Sequence, residues 1–287
     1  FGKVWAGVCF REKISAMSRI VSWFSCGAAS AVATKLAIAE NPEVIVAYCE
    51  VKEEHPDNKR FLLDCQEWFG QEIVILGNDK YNRSIYEVFE KTRYLVGPGG
   101  ARCTGELKKK VRTDWEQVGD INVFGYTMDE QHRVDRLIDG NNALKILTPL
   151  INHELKKEDC LAMVVNAGIE IPAMYKLGFK NNNCMGCVKA SSPAYWKLIE
   201  KHFPDMFQRM NEMEIHLGRS VNKIDMKTVK KNYPEKFKEL GSPDVDGWGE
   251  SYWRPQLHEL PDDIIAKDDS PDMQCGIFCH LAESTYA

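Results

Sequence analysis

The chain has 287 residues, of which 44% are hydrophobic, so it can bury a full-sized core as one large domain or as one domain with a tail. Its formal net charge of −5 argues against nucleic-acid binding through overall basicity, although a local basic face stays open. No apolar run approaches the roughly 20 residues that cross a bilayer, so no membrane partner is expected.

The N-terminus lacks the apolar core of a signal peptide, which predicts a cytoplasmic protein. Residues 1–16 precede Met17, which looks like a natural start, and we interpret them as an extension or a cloning remnant. They contain Cys9 but no motif.

The first element of the predicted fold combines an apolar run at 20–24, a turn of small residues and an alanine-rich stretch at 31–39. This pattern predicts a strand, a loop and a helix. A helix begins with unpaired N–H groups at the positive end of its dipole, and small side chains let a phosphate reach them. The candidate phosphate loop is Ser25, Cys26, Gly27, Ala28, Ala29 and Ser30. A turn that serves packing alone is the alternative, because neither a Walker lysine motif nor GxGxxG is present.

Strands and helices then alternate along the chain. Further strands are predicted at 43–49, 72–76, 122–126 and 145–150, and helices at 59–69, 84–94, 106–115 and up to Leu137. This alternation predicts an α/β fold with a doubly wound, mainly parallel sheet. We assign a nucleotide-binding α/β domain to 17–180 and a helical, cysteine-bearing region, packed on it, to 181–287.

Ten cysteines in a reducing compartment are expected to be metal-binding, redox-active or buried, and not disulfide-bonded. Four lie in apolar or helical patterns and are predicted in the core, namely Cys26, Cys49, Cys65 and Cys160. The turn-like CxxC at Cys184 and Cys187, after three asparagines, argues against a buried core pair. Two thiolates at this spacing can chelate one metal ion or hold part of an iron–sulfur cluster.

Two further cysteine positions lie in polar or turn-like surroundings. Cys103 follows a glycine-rich loop beside Arg102 and precedes three lysines, which would favour its thiolate. Cys275 and Cys279 form a second pair near the C-terminus, so two separated pairs could also make a structural zinc site.

Five motifs resemble the adenylyl-sulfate and phosphoadenylyl-sulfate reductases (APS and PAPS reductases) of the adenine nucleotide alpha hydrolase superfamily. They extend from about Arg19 to His280 and occur in the family's order. They are the pyrophosphate (PP) loop at 25–30, the arginine–cysteine–lysine segment at 102–109, the substrate loop at 125–133, the stretch from 148 through 179 to the CxxC, and the cysteine tail at 274–277.

The resemblance implies a reductase that converts an adenylylated sulfate to sulfite. Adenine would lie near Trp23, Phe24 and Tyr48, and the family's counter-charges would fall on Arg102, Lys108, Arg133 and Arg136. Cys275 would attack the sulfate sulfur, and a thioredoxin or glutaredoxin type of reductant would release sulfite. A homodimer is left open.

The resemblance also implies a [4Fe–4S] cluster, but this chain departs from the family's ligands. Thr104 replaces one cysteine, so Cys103, Cys184 and Cys187 remain, with Cys279 as a fourth ligand or an open iron in its place. An ATP-dependent sulfurtransferase that thiolates a nucleic-acid base or another acceptor is the second hypothesis, favoured by the basic face at 108–112. A nucleotide-binding protein with structural zinc and no turnover is the third.

Overall fold

Five parallel strands form the centre of the computed structural model, which describes residues 18–97, 99–140, 143–240 and 252–261. The strands are β1 (Ile20–Phe24), β2 (Ile45–Cys49), β3 (Ile73–Leu76), β6 (Ile121–Val123) and β7 (Lys145–Leu147), in the spatial order β3-β2-β1-β6-β7. The alternation of strands and helices therefore correctly predicted an α/β fold with a parallel sheet. All five residues of the central strand β1 are buried.

Helices cover both faces of this sheet, as a doubly wound arrangement requires. The helices of the first half are α1 (Ala28–Glu40), α2 (Asn58–Phe69), α3 (Ile85–Thr92), α4 (Arg102–Thr104), α5 (Lys110–Trp115) and α6 (Gln131–Asp139). On one face, α1 and α2 pack around Phe24, whereas Trp115 of α5 and Val134 of α6 pack with Trp23 on the other. Two short strands, β4 (Val96–Gly97) and β5 (Gly100–Ala101), pair before α4.

The second half of the chain is mainly helical. Its elements are α7 (Pro149–Asn152), α8 (Lys157–Asn166), α9 (Ala173–Lys176), α10 (Pro193–His202), α11 (Pro204–Leu217), β8 (Ile224–Asp225), α12 (Met226–Asn232), α13 (Pro234–Leu240) and β9 (Tyr252–Trp253). Helix α8 returns to pack on α1, while α10 and α11 join a core cluster that also contains residues of α3. The boundary at 180/181 stays a prediction. No helix in the described ranges is both long and apolar enough to cross a membrane.

Several boundaries differ from the prediction, and three of these differences have a clear physical reason. The first helix starts at Ala28, so the small residues of the loop are already its first turn. The strand predicted at 122–126 ends at Val123, because the chain then crosses the first turn of α1. The strand predicted at 145–150 ends at Leu147, because Pro149 lacks the N–H that a ladder needs and instead begins α7.

Candidate functional site

The loop between β1 and α1 is organised by two serine hydroxyls. Ser30 Oγ accepts hydrogen bonds from the Ser25 backbone N–H at 3.1 Å and from Ser25 Oγ at 3.0 Å, and it donates to Gly27 O at 2.9 Å. Gly27 precedes α1 without a side-chain cap, and the first turn of the helix contains no acidic residue. The helix N-terminus therefore keeps the positive end that suits an anion.

Cys26 has a left-handed backbone, with φ of 56°, in the middle of this loop. Its side chain is fully buried, and burial, more than the nearby Glu54, raises the pKa of the thiol well above its usual value. The thiol therefore stays protonated near neutral pH and packs in the core, as predicted for Cys26. Cys65 and Cys160 are also fully buried, whereas Cys49 is half-buried.

A cavity with about 300 Å³ of empty space, its opening included, lies beside this loop. Its walls combine aromatic rings with two cations and are formed by Trp23, Phe24, Ser25, Cys49, Lys108 and Arg112. The cavity thus lies where β1 and β2 end, which is where ligands bind in open parallel sheets. Apolar rings with nearby cations are a suitable lining for a base and its phosphate.

The residues predicted for nucleotide binding fall into two groups in the structure. Trp23, Ser25 and Lys108 line the cavity beside the loop, which we call the loop cavity. Tyr48 does not line this cavity; it is buried beside Phe24, and its hydroxyl donates to Glu54 at 2.5 Å. Gly27 is covered by Tyr175, whose hydroxyl lies 3.5 Å from the position of an added Cβ.

The three predicted arginines are not among the side chains that line this cavity. Arg102 pairs with Glu106 at 2.9 Å on the surface, and Arg136 is exposed on α6. Arg133 pairs with Glu130 and lies over the ring of Tyr126, with its side chain only 11% exposed. Roles for these arginines in substrate binding stay predictions.

Three predicted metal ligands come together in a second cavity, which has about 360 Å³ of empty space including its opening. Cys103, Cys184 and Cys187 all line it, as do Thr104, Lys108 and Lys189. We call it the cysteine cavity. Lys108 belongs to both cavities, so the two sites are neighbours. Cys275 and Cys279 lie outside the described residues.

The CxxC is buried, contrary to the expectation from its turn-like sequence. Cys184 and Cys187 are each 8% exposed. The hydroxyl of Tyr195 accepts hydrogen bonds from the backbone N–H groups of Gly186 and Cys187 at 3.1 and 2.8 Å, and Met185 N donates to Glu53 O at 2.8 Å. The core thus holds the turn in place, which the local pattern alone could not indicate.

The donor types of the cysteine cavity fit an iron–sulfur cluster. Three thiols and two lysines suit a soft metal centre with anionic sulfur ligands, and not calcium or magnesium. Within the described ranges, no three His, Cys, Asp or Glu side chains are grouped closely enough to hold one metal ion. Ligands of a multi-iron cluster stand farther apart, because each thiolate binds a different iron.

A π-helical stretch, Gly105–Lys109, lies between α4 and α5 and carries Lys108. The sequence predicted an ordinary helix from Glu106. Single π-helical turns occur frequently at functional sites, because the extra residue changes where the following side chains point. The composition of 105–109 contains no signal that distinguishes it from an α-helix.

The burial of several side chains near the two cavities was not expected from the sequence. Glu54 and Asn182 are buried although they lie in a charged loop and an asparagine run, which predicted turns. Arg112 belongs to the basic face predicted at 108–112, yet its side chain is only 13% exposed, and it packs over Phe124 and pairs with Glu116 at 3.3 Å. Long-range packing decides these positions, and a local pattern does not report it.

Neither a family model nor a curated protein matches the chain.

Proposed function

We propose that this protein is a nucleotide-dependent sulfur enzyme, with the reduction of an adenylylated sulfate to sulfite as its reaction. The observation that carries the proposal is the shared Lys108, which joins a cavity at the PP-loop-like turn to a cavity lined by three cysteines. An anion-binding helix start and a thiol-rich centre in contact are what this chemistry requires. The resemblance to PAPS and APS reductases supports the same assignment.

In the proposed mechanism, the N-terminus of α1 and the Ser25 hydroxyl bind the phosphate, and Lys108 neutralises negative charge between the two cavities. The thiolate of Cys275 attacks the sulfate sulfur, the bond from that sulfur to the bridging oxygen breaks, and the nucleoside phosphate leaves. The S-sulfocysteine is reduced by an external dithiol, which becomes a disulfide as sulfite departs. A [4Fe–4S] cluster held by Cys103, Cys184 and Cys187 would add a redox-active, charged centre beside this step.

The test is an assay on anaerobically purified full-length chain with its iron, inorganic sulfide and zinc quantified. We expect iron and sulfide, and sulfite release from adenosine 5′-phosphosulfate or its 3′-phosphorylated form in the presence of thioredoxin or glutathione. The variant Cys275→Ser should abolish sulfite release while the metal content stays the same. Fully metallated protein that makes no sulfite contradicts the reductase assignment.

The second candidate is an ATP-dependent sulfurtransferase, in which the same loop binds ATP and an acceptor is adenylylated before sulfur is delivered. One observation favours it, because Thr104 lines the cysteine cavity at the position of the family's second cysteine, which leaves three thiols there. A cluster with three protein ligands has an iron available to another sulfur. Consumption of ATP that depends on tRNA or another acceptor would select this candidate. Zinc without iron or sulfide would instead favour a structural site without turnover.

A further inference from the structure

A network of hydrogen bonds between buried polar side chains connects the loop at Cys26 to Lys108. Asn182 Nδ2 donates to the Cys26 carbonyl at 2.7 Å and to Asn58 Oδ1 at 2.8 Å. Asn58 Nδ2 donates to Glu54 Oε2 at 3.0 Å, and Lys108 Nζ pairs with Glu54 Oε1 at 2.9 Å. Three residues of this network are buried, with exposed fractions of 2% for Asn182, 4% for Asn58 and 6% for Glu54. This network therefore links the loop between β1 and α1 to Lys108, the residue shared by both cavities.

Glu54 lies at the centre of this network. Its carboxylate accepts hydrogen bonds from Tyr48, Asn58 and Lys108, so each oxygen has a donor. Burial and the neighbouring Glu54 raise the pKa of Tyr48, which keeps the hydroxyl protonated as a donor. Burying a carboxylate costs free energy unless hydrogen-bond partners are held in place around it. Here each partner belongs to a different segment of the protein.

The ion pair with Glu54 determines where the ammonium group of Lys108 lies. A lysine side chain is long and flexible, and its ammonium group acts as a point charge with three donors. One hydrogen bond to a buried acceptor fixes the direction of the other two N–H groups. Without it, the ammonium group would sample several rotamers, and its distance from a bound anion would vary.

We infer that Glu54 is a positioning residue, which holds Lys108 at the boundary of the loop and cysteine cavities so that its charge lies at the anionic group that reacts. The inference rests on the proposed function for the reaction concerned. Asn58 and Asn182 orient Glu54 and tie its position to the loop carbonyl at Cys26. Substrate binding by the loop does not require this pairing, but the reaction step does.

The test compares Glu54→Gln with Glu53→Gln in anaerobically purified full-length protein. Glu53 is a matched control, because it is 5% exposed and its carboxylate accepts from Ser84 Oγ at 2.6 Å and Ile85 N at 2.9 Å, whereas the carboxylate paired with Lys108 is that of Glu54. We expect E54Q to lower kcat for sulfite release about tenfold or more, with the Kd for AMP within about twofold of wild type. E53Q should lower the midpoint of urea unfolding without this selective loss of kcat.

A second readout does not depend on activity. Acetylation of Lys108 by N-hydroxysuccinimide acetate, followed by mass spectrometry, should be about threefold or more faster in E54Q than in wild type, because the amine loses its carboxylate partner. E53Q should leave the rate unchanged. Equal effects of the two variants on kcat, or an unchanged acetylation rate in E54Q, would overturn the inference.

Failure of the proposed function has a different signature. If wild-type protein shows neither sulfite release nor sulfur transfer, the function is wrong, and the acetylation rates still decide whether Glu54 positions Lys108. If E54Q does not fold, Lys108→Met and the double variant K108M/E54Q provide the test. Positioning through Lys108 predicts the same residual kcat for both, whereas a further loss in the double variant would contradict it.

Discussion

Cys26 combines two properties that rarely occur in one residue, a left-handed backbone and complete burial. A side chain at positive φ is tolerated when the surrounding structure fixes it, and such positions cluster at binding sites. Here the Ser25–Ser30 hydrogen bonds on one side and the Asn182 contact on the other fix the loop. The strain thus lies in the segment proposed to bind the phosphate.

This conformation predicts that valine is tolerated less well at Cys26 than at an equally buried position in a helix. Cys26→Val places a β-branched side chain at φ of 56°, and we expect it to lower the free energy of unfolding by about 1–3 kcal/mol. Cys65→Val is the matched control, because Cys65 is equally buried but lies within α2. Its loss should stay below about 1.5 kcal/mol. Urea unfolding measures both values, and equal losses would show that the backbone of Cys26 is not strained.

At the scale of elements, the contact between the end of β6 and the start of α1 brings the sheet and the loop together. A Cβ added to Gly125 would lie 2.8 Å from both Ser30 Cα and Ser30 N. These are backbone atoms of the first turn of α1, so neither can move aside without moving the helix. The glycine therefore sets how closely the segment after β6 can approach the first turn of α1.

We expect Gly125→Ala to lower the free energy of unfolding by about 2–4 kcal/mol and to weaken AMP binding, because α1 must shift. Gly105→Ala serves as the control, since a Cβ there meets nothing within 4 Å and the backbone is helical. That variant should be neutral or more stable by up to about 1 kcal/mol. Denaturant unfolding and nucleotide titration test the pair. A neutral Gly125→Ala would mean that this contact is loose.

Some of these elements could be predicted from the sequence, whereas some contacts between them could not. The run at 20–24 and the alanine-rich stretch after it are local patterns, and they correctly predicted β1 and most of α1. The bringing together of Cys103 with Cys184 and Cys187 was expected only through family resemblance. The burial of Glu54 and Asn182 was not predicted, because a charged loop and an asparagine run have the same composition whether they face water or another segment.

At the scale of the whole molecule, Glu214 joins the last described segment to α11. Its carboxylate is fully buried and accepts the backbone N–H groups of Val221 at 2.5 Å and Leu257 at 2.6 Å. Burial, with a smaller contribution from Glu259, raises the pKa of Glu214 to about 7. One ionisable group thus connects α11 with the segment just after it and with the last described segment.

The raised pKa of Glu214 determines the sign of a pH effect. Because the folded state binds the proton more tightly than the unfolded state, the stabilisation from protonation is complete below the unfolded pKa of about 4.5 and is lost as the pH rises through about 7. Relative to Glu214→Gln, wild type should therefore be more stable at pH 5.5 than at pH 8, by about 2 kcal/mol. Urea unfolding at both pH values measures this difference. A difference of the opposite sign would show that Glu214 is ionised in the fold.

The cysteine cavity has a consequence for the order of events during biosynthesis. Cys103 is separated from Cys184 by 80 residues, which include β6, β7 and the helices packed around them. Under the proposed function, we expect a metal centre on these thiols to form late in folding, because its ligands are far apart along the chain. Apolar side chains pack both around the sheet and around the CxxC. Under the proposed function, iron supply would then set the active fraction of the protein.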